Sequence, residues 1–297
     1  MQYWYLFANS FYLKYYDDDP RNEPFLGDRK TNGRYLFGTR ISSGENDTGR
    51  NKYVVNAERY FGMRREKLAE FSLPSIQKQI KKRQIVALST STYWCDWLPG
   101  YQKEDISHMV LVESVNNDHL VCIDSMQAVK PVCMKIDDFY KGVTQADTFH
   151  FFACKQCVAE ILADSIHSIQ IDQMHNDLFK LIDDLKNSEN FADEFELCEN
   201  GFWSCDLFRN TSYYIAGSRS LYAIFLEKVG AEIGQDELCT VANSFFGISK
   251  QWAAFKKLFM MNYYTNQIDK CQTDLIARLE NIVQDELSAY DSLKKCI

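Results

Sequence analysis

A histidine and an aspartate are spaced so that a β-hairpin would bring them together. His108 precedes the apolar segment MVLVESV, an NNDH turn follows, and the segment LVCI ends at Asp124. Two such segments joined by a polar turn predict antiparallel strands, which would place the imidazole beside the carboxylate. A carboxylate in that position orients the ring and stabilises its protonated form. The spacing therefore predicts a base, His108, and its orienting group, Asp124. The alternative is an ordinary hairpin histidine with a turn aspartate.

The nucleophile that such a base would activate is harder to assign. Cys95, in the segment YWCDWLP, is the nearest thiol along the chain. A reactive cysteine needs a lowered pKa, usually from a histidine or a helix N-terminus, whereas Cys95 follows a predicted strand. Two interpretations stay open: Cys95 is the catalytic nucleophile, or it is a buried structural thiol beside two tryptophans.

Other chemical motifs carry less weight. The sequence contains no P-loop, no GxGxxG and no GxSxG motif. Cys154 and Cys157 form a CxxC, but no second ligand pair has the spacing that zinc requires. The net charge of −8 disfavours nucleic acid as a partner. We therefore predict no metal and no bound cofactor.

The composition is that of an ordered globular protein of one or two domains. The chain has 297 residues, of which 46% are hydrophobic, and its 10 cysteines have no framework spacing. The N-terminus lacks a basic region followed by a cleavage site, and no apolar run is long enough to span a bilayer. These features predict a cytoplasmic protein with reduced thiols and no membrane association.

The elements that must position these residues change in type near residue 154. Before it, a helix is predicted to begin after Ser72, and strands are predicted near 85–92, 108–115, 119–124, 132–136 and 148–154. After it, apolar residues recur with helical period, and helices are predicted near 213–229, 237–261 and 268–293, with Gly247 as a candidate break. The fold class is therefore α+β, with domains at 1–154 and 155–297.

Three segments resemble one protein family. The run from Gln84 to Ser125 resembles the N-terminal domain of the butirosin biosynthesis protein H family, which is related to peptidases that trim double-glycine leader peptides. RSLYAIFL, from Arg219 to Leu226, and WAAFKKL, from Trp252 to Leu258, are similar to helices of the domain that often follows. The resemblance implies a papain-like, cysteine-protease-type N-terminal domain and an all-helical C-terminal domain.

The resemblance also implies an activity. The family's chemistry is acyl transfer from a carrier-protein thioester to an amine, which forms an amide in natural-product pathways built on thiotemplated peptides. The implied partners are an acyl or peptidyl carrier protein, with its phosphopantetheine arm as part of the substrate, and a small amine. A homodimer is one expectation for the assembly state. The family's cysteine nucleophile lies near the start of the chain, where this sequence has Leu6.

The missing cysteine leaves several alternatives open. Either Cys95 or Ser10 is the nucleophile, or His108 deprotonates an amine that attacks a bound thioester directly. In a different class, the protein is a catalytically inactive module that binds a carrier protein or a peptide. A cysteine peptidase, with water as the acceptor, is a further alternative.

Overall fold

The computed structural model describes residues 3–8, 13–15, 30–31, 34–35, 41–42, 52–124, 130–152, 157–169, 171–188, 191–192 and 204–296. These residues form helices and a six-stranded antiparallel sheet, so the α+β class is confirmed. Tertiary contacts divide the chain into a sheet unit, residues 61–154, and a helical unit, residues 1–60 with 155–297. The division predicted from sequence grouped residues 1–60 with the strands, whereas the contacts group them with the C-terminal helices.

The strands and helices have the following bounds. The strands are β1 Lys14–Tyr15, β2 Lys30–Thr31, β3 Arg34–Tyr35, β4 Ile41–Ser42, β5 Arg64–Lys67, β6 Ile85–Ser91, β7 Ser107–Val115, β8 His119–Ile123, β9 Val132–Lys135 and β10 Gln145–His150. The helices are α1 Lys52–Phe61, α2 Leu73–Lys81, α3 Ile136–Gly142, α4 Val158–His167, α5 Ile171–Lys186, α6 Ser204–Ile233, α7 Asp236–Tyr264 and α8 Gln272–Lys294.

The sheet of the sheet unit has the strand order β5-β10-β6-β7-β8-β9. Strands β6 to β9 follow one another along the chain and in space, as consecutive strands usually do. The register pairs Thr90 with His108 between β6 and β7, and Leu111 with Ile123 between β7 and β8. The predicted hairpin is therefore present, with His108 at the start of one strand and Asp124 directly after the other.

One face of this sheet carries the core of the sheet unit. Alternate residues of β6 and β7, including Val86, Leu88 and Val110, are buried against Ile76 of α2 and Phe139 of α3. Helix α2 begins as the sequence predicts, because the Ser72 hydroxyl accepts a hydrogen bond from the Ser75 backbone in a capping box.

The N-terminal residues of the helical unit are tied to its helices by polar contacts. The Tyr5 hydroxyl donates to Glu232 over 3.0 Å, and Asn56 donates to the Leu6 carbonyl over 2.8 Å. The Ser165 hydroxyl of α4 donates to the Ala8 carbonyl, and the Tyr15 hydroxyl donates to Asp184 over 2.9 Å. These bonds explain why the contacts group this segment with the helices.

The two C-terminal segments that carry the family resemblance converge on one buried carboxylate. Arg219 donates to both oxygens of Glu286, over 2.7 and 3.2 Å, and the Trp252 indole donates to Glu286 over 3.0 Å. All three residues are fully buried. Because a buried charge requires a hydrogen-bonded partner, these residues hold α6, α7 and α8 together.

Among the described helices, none is long and apolar enough to cross a membrane.

Candidate active site

The predicted histidine and aspartate are in direct contact. His108 Nε2 lies 2.8 Å from Asp124 Oδ2, and the two side chains are 9% and 0% exposed. The strand alternation that buries Val110 and Val112 also turns His108 toward the core face of the sheet. The sequence thus predicted this pair correctly from hairpin spacing.

The contact fixes which nitrogen of the ring is free to react. An ionised carboxylate can only accept, so a neutral His108 ring donates its proton from Nε2 to Asp124. The lone pair then lies on Nδ1, and no described residue forms a hydrogen bond with that atom. A ring held in this way can take a proton at Nδ1 while the carboxylate stabilises the resulting positive charge.

Trp97 is a third member of the site that the sequence analysis did not identify. Its indole N–H donates to the same Asp124 oxygen over 2.7 Å. The loop that carries it is held at Thr92, whose hydroxyl donates to the Glu104 carbonyl over 2.6 Å and accepts from the Ile106 N–H over 3.2 Å. Nothing in the sequence singles out Trp97, apart from its position between Cys95 and His108.

Cys95 has the properties of a structural thiol. Its side chain is fully buried, and its sulfur donates to the Ser91 carbonyl over 3.4 Å. Burial, with the neighbouring carboxylates of Asp124 and Asp96, raises the pKa of Cys95 to about 12. The thiol is therefore protonated at neutral pH. No cysteine in the described residues is hydrogen-bonded to His108.

The N-terminal position where the resembled family has its cysteine belongs to the helical unit. Leu6 belongs to a 3-10 helix, Tyr3–Phe7, in the helical unit and is half-buried. Ser10 lies outside the described residues, as does Cys154 of the CxxC.

The second histidine of the hairpin, His119, forms hydrogen bonds with residues of the turn. His119 Nδ1 contacts Asp118 over 2.7 Å, and its Nε2 contacts the Asn116 amide over 2.9 Å. With both ring nitrogens engaged, His119 is not available as a second base in this arrangement.

A groove of about 610 Å³ lies beside the Trp97 indole. Trp97 lines the groove and also contacts Asp124, so it connects the groove to the dyad of His108 and Asp124. The rest of the lining comes mainly from β9 and the residues before it, together with Asp96, which pairs with Lys135 over 3.2 Å. His108 itself does not line the groove, so a ligand there would approach the dyad from the Trp97 side.

Comparison of the chain with protein-family models gives no match, and comparison with curated proteins gives none either.

Proposed function

We propose that this protein is an acyltransferase that forms an amide from an acyl thioester and an amine, with His108 as general base. The observation that carries the proposal is the orientation of the His108 ring, which Asp124 holds through Nε2. The family resemblance supports a papain-like sheet unit and a thioester carried by the phosphopantetheine arm of a carrier protein. The 10 cysteines without framework spacing support a cytoplasmic setting.

The reaction that this arrangement favours is direct aminolysis. The neutral amine attacks the thioester carbonyl, and a C–N bond forms as its proton passes to His108 Nδ1. The C–S bond then breaks, and the protonated ring returns that proton to the departing thiolate. Asp124 stabilises the positive charge on the ring between these two transfers. The products are one amide and one thiol, so the protons balance without another reactant.

The direct route is preferred to one through Cys95 because nucleophilic attack requires a thiolate. Cys95 is fully buried, and its raised pKa of about 12 keeps it protonated near neutral pH. Its sulfur is hydrogen-bonded to a backbone carbonyl rather than to His108.

A second candidate function is non-catalytic binding of a carrier protein or peptide. It is favoured by the same observation that disfavours covalent catalysis, since no thiol in the described residues is hydrogen-bonded to His108. The presence of Leu6 where the resembled family has its cysteine points in the same direction.

Mass spectrometry of the products distinguishes these functions. The protein is incubated with carrier proteins loaded with aminoacyl groups and with a pool of primary amines. An acyltransferase releases amides, a peptidase-like hydrolase releases free acids, and a binding module forms a complex without release. Amide formation that is lost in His108→Ala and retained in His119→Ala supports the proposed base. Release of acids alone, or no release in the wild type, contradicts the proposed reaction.

A further inference from the structure

We propose that the outer edge of β9 is a binding site for an extended peptide, which would pair with it as a seventh strand of the six-stranded sheet. The proposal concerns binding alone, and it holds whether or not His108 acts as a base.

The backbone of β9 offers unpaired hydrogen-bonding groups. Strand β9 pairs with β8 on one side, from Val132 opposite Cys122 to Lys135 opposite His119. It is the last strand in the sheet order, and the groups on its outer side have no hydrogen-bond partner among the described residues. In an antiparallel pair, alternate residues direct N–H and C=O away from the partner strand. An extended peptide supplies the complementary groups.

The two edge strands of the sheet, β5 and β9, differ in how many charged side chains they carry. The opposite edge strand, β5, has the sequence RREK, and all four residues are exposed. Charged side chains of this kind discourage pairing with another strand. Strand β9 has the sequence VCMK and a single charge, that of Lys135, which is paired with Asp96. An added strand is therefore favoured at β9.

The groove gives the peptide a place to lie beside this edge. Its lining includes Trp97, Pro131, Val132 and the exposed Cys133, which together offer aromatic and apolar contacts to alternate side chains of an added strand. The groove lining also carries two carboxylates, of which Asp96 is paired with Lys135 and Asp118 with His119. Lys130 lines the groove too, and it forms no ion pair with any residue that the structure describes. A peptide with an acidic side chain beside Lys130 would complement this charge.

The register indicates which end of the added strand approaches the dyad. Strand β8 runs toward Asp124, and β9 begins opposite Cys122, so the start of β9 lies at the Asp124 end of the strand pair. Trp97, which is hydrogen-bonded to Asp124, lines the same groove. A peptide paired with β9 would thus have one end near Trp97.

The proposal is tested in two steps. Peptides that bind the full-length protein are selected from a library of random linear peptides, and the backbone of one selected peptide is then N-methylated. N-methylation removes one N–H donor at a time. We expect binding to fall by about tenfold at every second position and to change little at the positions between. Amide NMR signals of 132–135 should shift on binding, and selected peptides should be enriched in acidic residues.

Matched variants locate the site. Cys133→Arg, which puts a bulky charge into the groove, should weaken binding by about tenfold, because it adds repulsion and steric hindrance at the edge. Glu66→Arg on the opposite edge should leave the affinity unchanged. Failure to select any peptide, an N-methylation pattern without a period of two, or NMR shifts confined to other strands would overturn the proposal.

Discussion

Two hydrogen-bond donors meet at one oxygen of Asp124, and this arrangement sets the role of Trp97. His108 Nε2 and Trp97 Nε1 both donate a hydrogen bond to Asp124 Oδ2, at 2.8 Å from His108 and 2.7 Å from Trp97. An oxygen that accepts two strong bonds is restrained in position, so the indole orients the carboxylate that in turn orients the base. Trp97 acts through Asp124 and is therefore a positioning residue.

Replacing Trp97 with Phe tests this role, because Phe keeps an aromatic ring in the groove and removes the N–H. We expect kcat for amide formation to fall by about tenfold, equivalent to about 1.4 kcal/mol, with a smaller change in KM. Nitrogen-15 NMR of the His108 ring should show a second tautomer, which the wild type lacks. If the tautomer and kcat are both unchanged, Trp97 is only a wall of the groove.

The buried position of Cys95 predicts low reactivity toward alkylating reagents. Since burial raises its pKa to about 12, almost none of the thiol is ionised at pH 7.5. Iodoacetamide should label the exposed Cys133 and Cys157 of the folded protein and leave Cys95 unmodified, as peptide mass spectrometry would show. Labelling of Cys95 as fast as Cys133 would restore it as a candidate nucleophile.

Hairpin spacing predicted the contact between His108 and Asp124 because strand alternation and a short turn leave few ways to arrange two adjacent strands. The same reasoning could not reach Trp97, which lies in the loop between β6 and β7. Its position depends on bonds from Thr92 to Glu104 and Ile106, and such side-chain contacts have no sequence period. The properties of Cys95 likewise follow from tertiary burial.

At the scale of elements, the close approach of α6 and α7 depends on Gly230. A β-carbon at this position would lie 2.9 Å from the Gln235 carbonyl oxygen and 2.9 Å from Leu238 Cβ. We expect Gly230→Ala to lower the free energy of unfolding by about 1–3 kcal/mol, because backbone and side chain must both shift. Urea denaturation measures this change.

Gly217, also in α6, provides the control for that substitution. A β-carbon there would meet no atom within 4 Å, so Gly217→Ala should raise the free energy of unfolding by about 0.5–1 kcal/mol through helix propensity. Equal effects of the two substitutions would show that the contact at Gly230 does not govern the packing of α6 on α7.

His175 of α5 predicts a loss of stability in mild acid. Its side chain is 6% exposed, and its Nε2 has no hydrogen-bond partner among the residues that the structure describes. Burial lowers its pKa below 6.5 despite the opposing effect of Glu286. The unfolded chain therefore binds a proton at a higher pH than the folded chain does. Stability that is present above pH 6.5 should be lost as the pH falls below that value.

Thermal denaturation from pH 7.5 to pH 5 measures this loss. The decrease in Tm should be smaller in His175→Gln than in the wild type, whereas His119→Gln, at the half-buried start of β8, should behave as the wild type does. A wild-type decrease that His175→Gln does not reduce would assign the acid sensitivity to other groups.

Helical periodicity predicted the three C-terminal helices, but α6 is longer at both ends, Ser204–Ile233, than the predicted 213–229, and the interruptions were not predicted. Helix α7 runs unbroken through Gly247, where the sequence offered a break, since its α-helical backbone needs no unusual dihedral there. The apolar pattern from Val158 to Leu185 continues across the end of α4 at His167, so the pattern gave no sign of that end. The hydrogen bonds from Arg219 and Trp252 to Glu286 link residues remote in sequence and were not predicted.

In the whole molecule, one of the two units is a single stretch of the chain and the other combines two separate stretches. The sheet unit is the single stretch 61–154, and the helical unit combines 1–60 with 155–297. Sequence period could not predict this division, because the bonds that tie the N-terminal segment to the helices join residues remote in sequence. The contacts of Tyr5, Tyr15 and Asn56 decide where the segment belongs.

The rate of amide formation in His108→Ala and Cys95→Ala tests both the proposed base and the direct route. The substrates are an aminoacyl N-acetylcysteamine thioester and a primary amine. If His108 is the base and no cysteinyl intermediate forms, His108→Ala should lose about 10²- to 10⁴-fold in kcat, and Cys95→Ala should stay within about twofold of the wild type. Retention of the wild-type rate in His108→Ala would contradict the proposed base. Loss of activity in a folded Cys95→Ala, with an acyl adduct on Cys95 in the wild type, would contradict the direct route.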